Sequence, residues 1–226
     1  MFRAAEEPVT ARDVFVTGAS GYMGTRLIQR LLDRGHGVWG LTRSGSEAKL
    51  PSGCTPVIGD ALRGTSYATH IPAAATFVHL VGVPHPSPAK AAEFRRVDLV
   101  SVQQAVPAAA AAGVQHFVYV SVAHPAPIMK AYQAVRSECE EILCQSGLRA
   151  TILRPWYVLG PGHNWPRALI PFYKLFEWLP RTREAARRLG LVTVQQMIAA
   201  LAAAVEEPSN GVHCVEVPEI RQAAGG

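Results

Sequence analysis

The residues best suited to chemistry in this chain come early: Gly18, Gly21 and Gly24, between a short apolar run from Val14 and an amphipathic stretch that ends at Gly35. Glycine at these spacings lets the backbone turn sharply, approach a pyrophosphate closely and pack a helix on its strand. The following segment carries Met23, Leu27, Ile28, Leu31 and Leu32 on one helical face. Its first turn would offer unpaired N–H groups and a partial positive charge, which is a site for anions. A second apolar run closes on Thr42-Arg43-Ser44, with no carboxylate until Glu47. An acidic residue there would bind a ribose 2′-hydroxyl and repel a 2′-phosphate, whereas arginine offers a forked, permanent charge to a phosphate. The pattern favours NADP(H) over NAD(H), with Arg43 as a solvated loop cation the plain alternative.

Other reactive side chains give weaker signals. His79 lies inside an apolar run and reads as a satisfied core histidine. His85, His124 and His163 fall in loops rich in proline or glycine, where they can line a pocket, and His163 follows the last conspicuous motif. Cys54, Cys139, Cys144 and Cys214 have neither metal-ligand spacing nor the density of a disulfide framework, so reduced, small apolar thiols are the simple reading. No metal site is expected.

The elements that must position these residues alternate. After the first strand and helix come strands at Gly37–Thr42, Thr55–Ile58 and Thr76–Val81. A long helix is expected over Ala89–Ala112, with Phe94, Val97, Val100 and Val102 inward and Pro107 breaking or kinking its last turns. His116–Val120 is a fifth strand and Met129–Gln145 a helix with Val135, Cys139, Ile142 and Leu143 as its inner stripe. Arg149–Leu153 is a sixth strand. Such alternation implies an α/β fold, a Rossmann-type doubly wound parallel sheet with ligands at the carboxyl ends of the strands. Gly18, Arg43, Asp60, Gly82, Ser121 and Pro155 all fall at or just past such ends. Beyond Trp156 the alternation weakens into a helix at Pro166–Leu179, a helix at Thr193–Glu206 with Thr193 and Gln196 spaced as a capping box, and a strand at Val212–Val217.

With 226 residues, 49% apolar and 17% charged, the chain suits one folded unit, with a cofactor-binding core at 12–155 and a small substrate-lid portion at 156–226. A net charge of +5 is mild, and no basic run interleaved with aromatics suggests nucleic acid. No run has the apolar length of an integral membrane segment, and the first ten residues lack the apolar core of a secretion signal, so a cytoplasmic location is expected. The stretch at 166–188 is apolar around nearly a whole helix and is then rich in arginine. It reads as a packed pocket lid or as a contact for a protein or a membrane surface.

Taken together, Thr17–Gly24, Gly59-Asp60, Val78–Gly82, Phe117–Ser121 and Leu153–Gly162 resemble the short-chain dehydrogenase/reductase superfamily. The likeness is to its atypical, NAD(P)H-binding branch of NmrA-like and extended epimerase-type proteins, and it covers nearly the whole chain. The resemblance implies a pyrophosphate loop made by Thr17, Gly18, Ser20, Gly21, Tyr22, Met23 and Gly24. It implies that Asp60 and Ala61 meet the adenine, that Leu80, Val81 and Gly82 pass under the adenosine ribose, and that Pro155, Tyr157 and Val158 lie near the nicotinamide. It also implies a catalytic set of Ser121, Tyr132 and Arg136, with the tyrosine exchanging the proton and the serine orienting the substrate oxygen. Two positions depart from the family pattern: Arg136 stands where a lysine is usual, and Asp98 where a helical asparagine is usual. Arg136 keeps a charge on the helix face of Tyr132 but cannot copy the compact ammonium. Two functions stay open: an oxidoreductase on a small carbonyl or alcohol substrate, and an NAD(P)H-binding sensor or accessory subunit without turnover.

Overall fold

Strands buried on both faces need helices on both, and right-handed crossovers then leave them parallel. The computed structural model describes residues 10–126, 128–160 and 190–223. In chain order these form β1 (Asp13–Thr17), α1 (Tyr22–Asp33), β2 (Gly37–Thr42), β3 (Thr55–Ile58) and β4 (Thr76–His79). There follow α2 (Ala91–Glu93), a π-helical segment (Phe94–Leu99), α3 (Val100–Ala111), β5 (His116–Val120), α4 (Lys130–Gln145) and β6 (Ala150–Arg154). Last come β7 (Tyr157–Leu159), β8 (Leu191–Thr193), α5 (Val194–Glu206), β9 (Val212–Glu216) and α6 (Val217–Gln222). Seven strands make one parallel sheet in the order β3-β2-β1-β4-β5-β6-β9, and β7 and β8 pair separately. The order reverses between β1 and β4, which opens a crevice at their carboxyl ends.

The register explains the core. Phe15, Phe77 and Phe117 are direct neighbours on β1, β4 and β5. Their rings stack at 5.2 and 4.9 Å beneath α3 and α4. Two residues further along the same face, Thr17 pairs with His79 and His79 with Tyr119. The greasy row thus carries a polar row at its carboxyl end. The opposite face buries Val14, Val16, Val78 and Val118 against Leu27, Ile28 and Leu31 of α1 and Met197 and Leu201 of α5.

Several boundaries differ from the sequence expectation. β4 stops at His79 rather than Val81: the Leu80 N–H makes the last ladder bond, to the Thr17 carbonyl (3.2 Å), and the chain then crosses over Gly18. The long helix contains the π turn, and it runs through Pro107 to Ala111 without breaking. Pro107 is exposed, and the carbonyl it cannot serve belongs to exposed Gln103, within reach of water. Val217 opens α6 instead of ending β9, with Glu216 and Glu219 as a capping box. The Thr193–Gln196 box forms as expected, at 2.9 and 3.1 Å. The expected helix at 166–179, the 166–188 contact segment and His163 lie outside the described residues.

Candidate functional site

The phosphate loop is built by steric demand. Gly18 has φ +70°, and a Cβ there would press on the Leu80 backbone at 3.0 Å. A Cβ on Gly24 would lie 2.6 Å from the Ala19 carbonyl oxygen and closer still to that of Gly18, so helix and loop touch backbone to backbone. The Gly21 N–H closes the turn onto the Gly18 carbonyl at 3.0 Å. α1 then begins at Tyr22 with no side-chain cap and no acidic residue in its first turn. Open N–H groups, the helix dipole and an uncluttered approach fit a pyrophosphate. Ser20, Tyr22 and Met23 are half-buried around this turn. Arg26 covers the Tyr22 ring at 4.0 Å, and the Tyr22 hydroxyl occupies the space where Gly160 would carry a side chain. That contact brings the segment after β6 over the loop, with Tyr157 and Val158 half-buried on β7 and Pro155 buried at the strand end.

At the next strand ends, Arg43 is exposed just after β2, and among the described residues its guanidinium has no hydrogen-bond or ion-pair partner. Asp60 is exposed beyond β3; its carboxylate accepts the Leu62 N–H (2.9 Å) and its own N–H binds Ser66 (2.9 Å), which fixes the turn around half-buried Ala61. Leu80, Val81 and Gly82 are half-buried in the loop over Gly18.

Tyr132 and Arg136 project from one face of α4. The Tyr132 ring packs on Phe94 of the π segment at 4.9 Å, and the Arg136 guanidinium carbon lies 5.1 Å from its centroid. Burial pushes the Tyr132 phenol up, against the pull of Arg136. The guanidinium itself is committed. Nη2 pairs with Asp98 Oδ1 at 2.7 Å, and Nη1 donates to the Val120 carbonyl (2.7 Å) and the Tyr119 hydroxyl (3.1 Å). Gly82 is what admits it, since a Cβ there would sit 2.5 Å from Nη2. The two departures from the family pattern are therefore one buried ion pair. Ser121 follows β5 at 3% exposure; its hydroxyl has no regular hydrogen bond but lies near enough to Glu140 to favour that group's ionised form.

Two further networks escaped the sequence reading. Burial alone would raise Glu140, but hydrogen bonds from His124 and Arg154, with the Ser121 hydroxyl close by, outweigh it and hold the carboxyl down at about 2. Arg154 bridges Glu140 and Glu216 at the carboxyl ends of β6 and β9. On the other side, the Ser101 hydroxyl donates to the Asp98 carbonyl (2.9 Å), so it accepts from His79 Nε2 (3.0 Å), and Nδ1 accepts from Thr17 (2.9 Å). Burial, helped by Arg136, holds His79 neutral with its pKa down at about 3. His79 is the satisfied core histidine that its position implied.

A family model described as NAD(P)H-binding matches residues 18–164. Over 168 residues the chain is 26% identical to a 4-hydroxy-2-methyl-3-oxo-4-farnesyl-3,4-dihydroquinoline-1-oxide ketoreductase of Stigmatella aurantiaca, covering 65% of this chain and 50% of that protein. Over 112 residues it is 33% identical to a 3-beta-hydroxysteroid dehydrogenase of Mycolicibacterium neoaurum, covering 47% and 31%. The chain thus spans half or less of the length of these relatives. Among solved structures, WbmH of Bordetella bronchiseptica in complex with NAD+ superposes with a TM-score of 0.67 at 23% identity, over 92% of this chain and 76% of that one. UDP-glucose 4-epimerase of Thermotoga maritima, solved with UDP-glucose, gives 0.65 at 18% identity over 94% and 82%. At these identities the likeness is one of fold.

Proposed function

Because the chain belongs to the NAD(P)H-binding family and has the short-chain dehydrogenase/reductase architecture, we propose that it is an NADP(H)-dependent oxidoreductase acting on a small carbonyl or alcohol substrate. The observation that carries this reading is the glycine cradle at the sheet's switch point with an arginine, Arg43, unpaired among the described residues, at the next strand end. Thr17, Gly18 and the first turn of α1 would hold the pyrophosphate, and Arg43 the 2′-phosphate. When bound, a reduced nicotinamide supplies hydride for a carbonyl carbon. Tyr132 supplies the proton to the carbonyl oxygen, Ser121 orients that oxygen, and Arg136, paired with Asp98, packs beside the phenol. The names of the two relatives, a ketoreductase and a hydroxysteroid dehydrogenase, support this class of reaction.

A specific observation favours a second reading, cofactor binding without turnover as in a sensor or accessory subunit. The Arg136 guanidinium is spent on Asp98, Tyr119 and Val120. The test is NADPH oxidation across a panel of ketones and aldehydes, by the wild type and by Tyr132→Phe, with NADPH binding measured alongside. The oxidoreductase reading expects turnover that falls by about 100-fold or more in Tyr132→Phe while binding is kept. Tight NADPH binding with no carbonyl consumed would select the second reading.

A further inference from the structure

The Arg136–Asp98 pair is the electrostatic neighbour of Tyr132, and water hardly reaches it. The Asp98 side chain is 0% exposed and that of Arg136 7%. Asp98 Oδ2 is also held, by the Val83 N–H at 3.0 Å. The charged and titratable groups facing Tyr132 come from three elements: Arg136 and Cys139 from α4, Asp98 from the π segment, and Tyr119 from β5, bonded to Arg136. Phe94 adds a ring without charge. Burial keeps Cys139 and Tyr119 protonated at neutral pH, so the field at Tyr132 is set by one guanidinium and one carboxylate.

We propose that Asp98 is a positioning residue for proton transfer at Tyr132: it pins the Arg136 guanidinium and cancels its charge, so that Tyr132 remains a phenol and serves as a proton donor. The inference rests on the reading of Tyr132 as the proton-transfer group. A lone cation 4–6 Å away would pull a phenol down by about one to three pH units. A carboxylate 2.7 Å from that cation removes most of the pull, and the guanidinium cannot swing away because Val120, Tyr119 and the bare Cα of Gly82 fix it. Asp98 is anchored in turn through Ser101 and His79 to Thr17, the residue that opens the phosphate loop. Carbonyl reduction, which needs a protonated donor, is thereby served at neutral pH. Alcohol oxidation, which needs a phenolate, is left to alkaline conditions.

The experiment is an alkaline titration of the full chain followed by tyrosinate ultraviolet absorbance. Each protein is paired with its Tyr132→Phe counterpart, so that the difference reports Tyr132 alone. Asp98→Asn should lower the Tyr132 midpoint by about one to three pH units, and Arg136→Met should raise it. The double variant Asp98→Asn/Arg136→Met replaces the pair with neutral groups, which buried sites tolerate better than one lone charge. Its midpoint should return close to that of the wild type. An unchanged or raised midpoint in Asp98→Asn would overturn the proposal. So would a double variant well above the wild type, because Arg136 would then be acting uncancelled, and this arm stands even if Asp98→Asn does not fold. The readout needs no turnover, so a protein that titrates as expected yet reduces no carbonyl would defeat the proposed function and leave this inference standing.

Discussion

Gly82→Ala tests the geometry of the buried pair most sharply, because Gly82 has no positive φ and the added methyl brings no backbone strain. The new Cβ would lie 2.5 Å from Arg136 Nη2 and 3.3 Å from Asp98 Oδ1. Ordinary contact begins near 3.4 Å, so the guanidinium must retreat by about 1 Å. A surface arginine would swing aside at little cost. Here the retreat stretches the 2.7 Å contacts to Asp98 and to the Val120 carbonyl. Overpacking costs about 1–3 kcal/mol and breaking a buried pair about 3–5, so a partial rupture should cost about 3 kcal/mol.

Urea unfolding followed by tryptophan fluorescence measures this in four proteins. They are the wild type, Gly82→Ala, Asp98→Asn/Arg136→Ala, and the triple variant. With the guanidinium gone the methyl has room, and its penalty should fall below about 1 kcal/mol, a coupling of about 2 kcal/mol. An equal penalty in both backgrounds, or one under about 0.5 kcal/mol in the wild type, would refute the idea that Gly82 exists to admit Arg136.

Gly24→Ala meets main-chain carbonyls instead of a side chain, so α1 must lift from the loop. NADPH affinity should fall by about tenfold or more along with a loss of thermal stability, and unchanged affinity would remove Gly24 from the cradle. Acid should destabilise the protein in two stages. His79 and His116 have native pKa values depressed to about 3 and about 4, so the unfolded chain binds more protons and stability drains as pH falls below about 6.5. Glu140, depressed to about 2, adds a loss of about 3 kcal/mol as pH falls from its unfolded value near 4.5. Urea midpoints across this range should show the loss below about pH 4.5 shrink in Glu140→Gln, while the loss that sets in below about 6.5 persists.

The parts of the fold legible in the sequence were those where one residue type answers a local demand. Glycine at 18 and 24, the Thr193–Gln196 cap and the apolar runs of β1, β4 and β5 each announce their element without help from distant chain. The π turn at Phe94–Leu99 did not, because an extra residue in a helical turn is selected by what it buries, here Phe94, Asp98 and Leu99. Pro107 misled for the opposite reason, since its cost depends on whether water reaches the carbonyl it abandons. The site divides in the same way. The glycine turn before α1 and the place of Arg43 at a strand end read directly, whereas Asp98 and Arg136 each read as an oddity. Only the approach of α4 to the π segment makes them a pair, and no spacing rule encodes that contact. Gly82, which the resemblance puts under the adenosine ribose, also borders the Arg136 guanidinium, a neighbour that no sequence pattern announces.

The proposed NADP(H) cradle owes its selectivity to Arg43, and calorimetric titration of the wild type and Arg43→Ala with NADPH and NADH measures that selectivity. A charge-assisted hydrogen bond contributes about 1.5–3 kcal/mol, so the wild type should bind NADPH at least about tenfold more tightly than NADH. Arg43→Ala should bring NADPH down to the NADH level and leave NADH where it was. Equal affinities in the wild type, or a substitution that weakens both cofactors alike, would remove Arg43 as the partner of a 2′-phosphate.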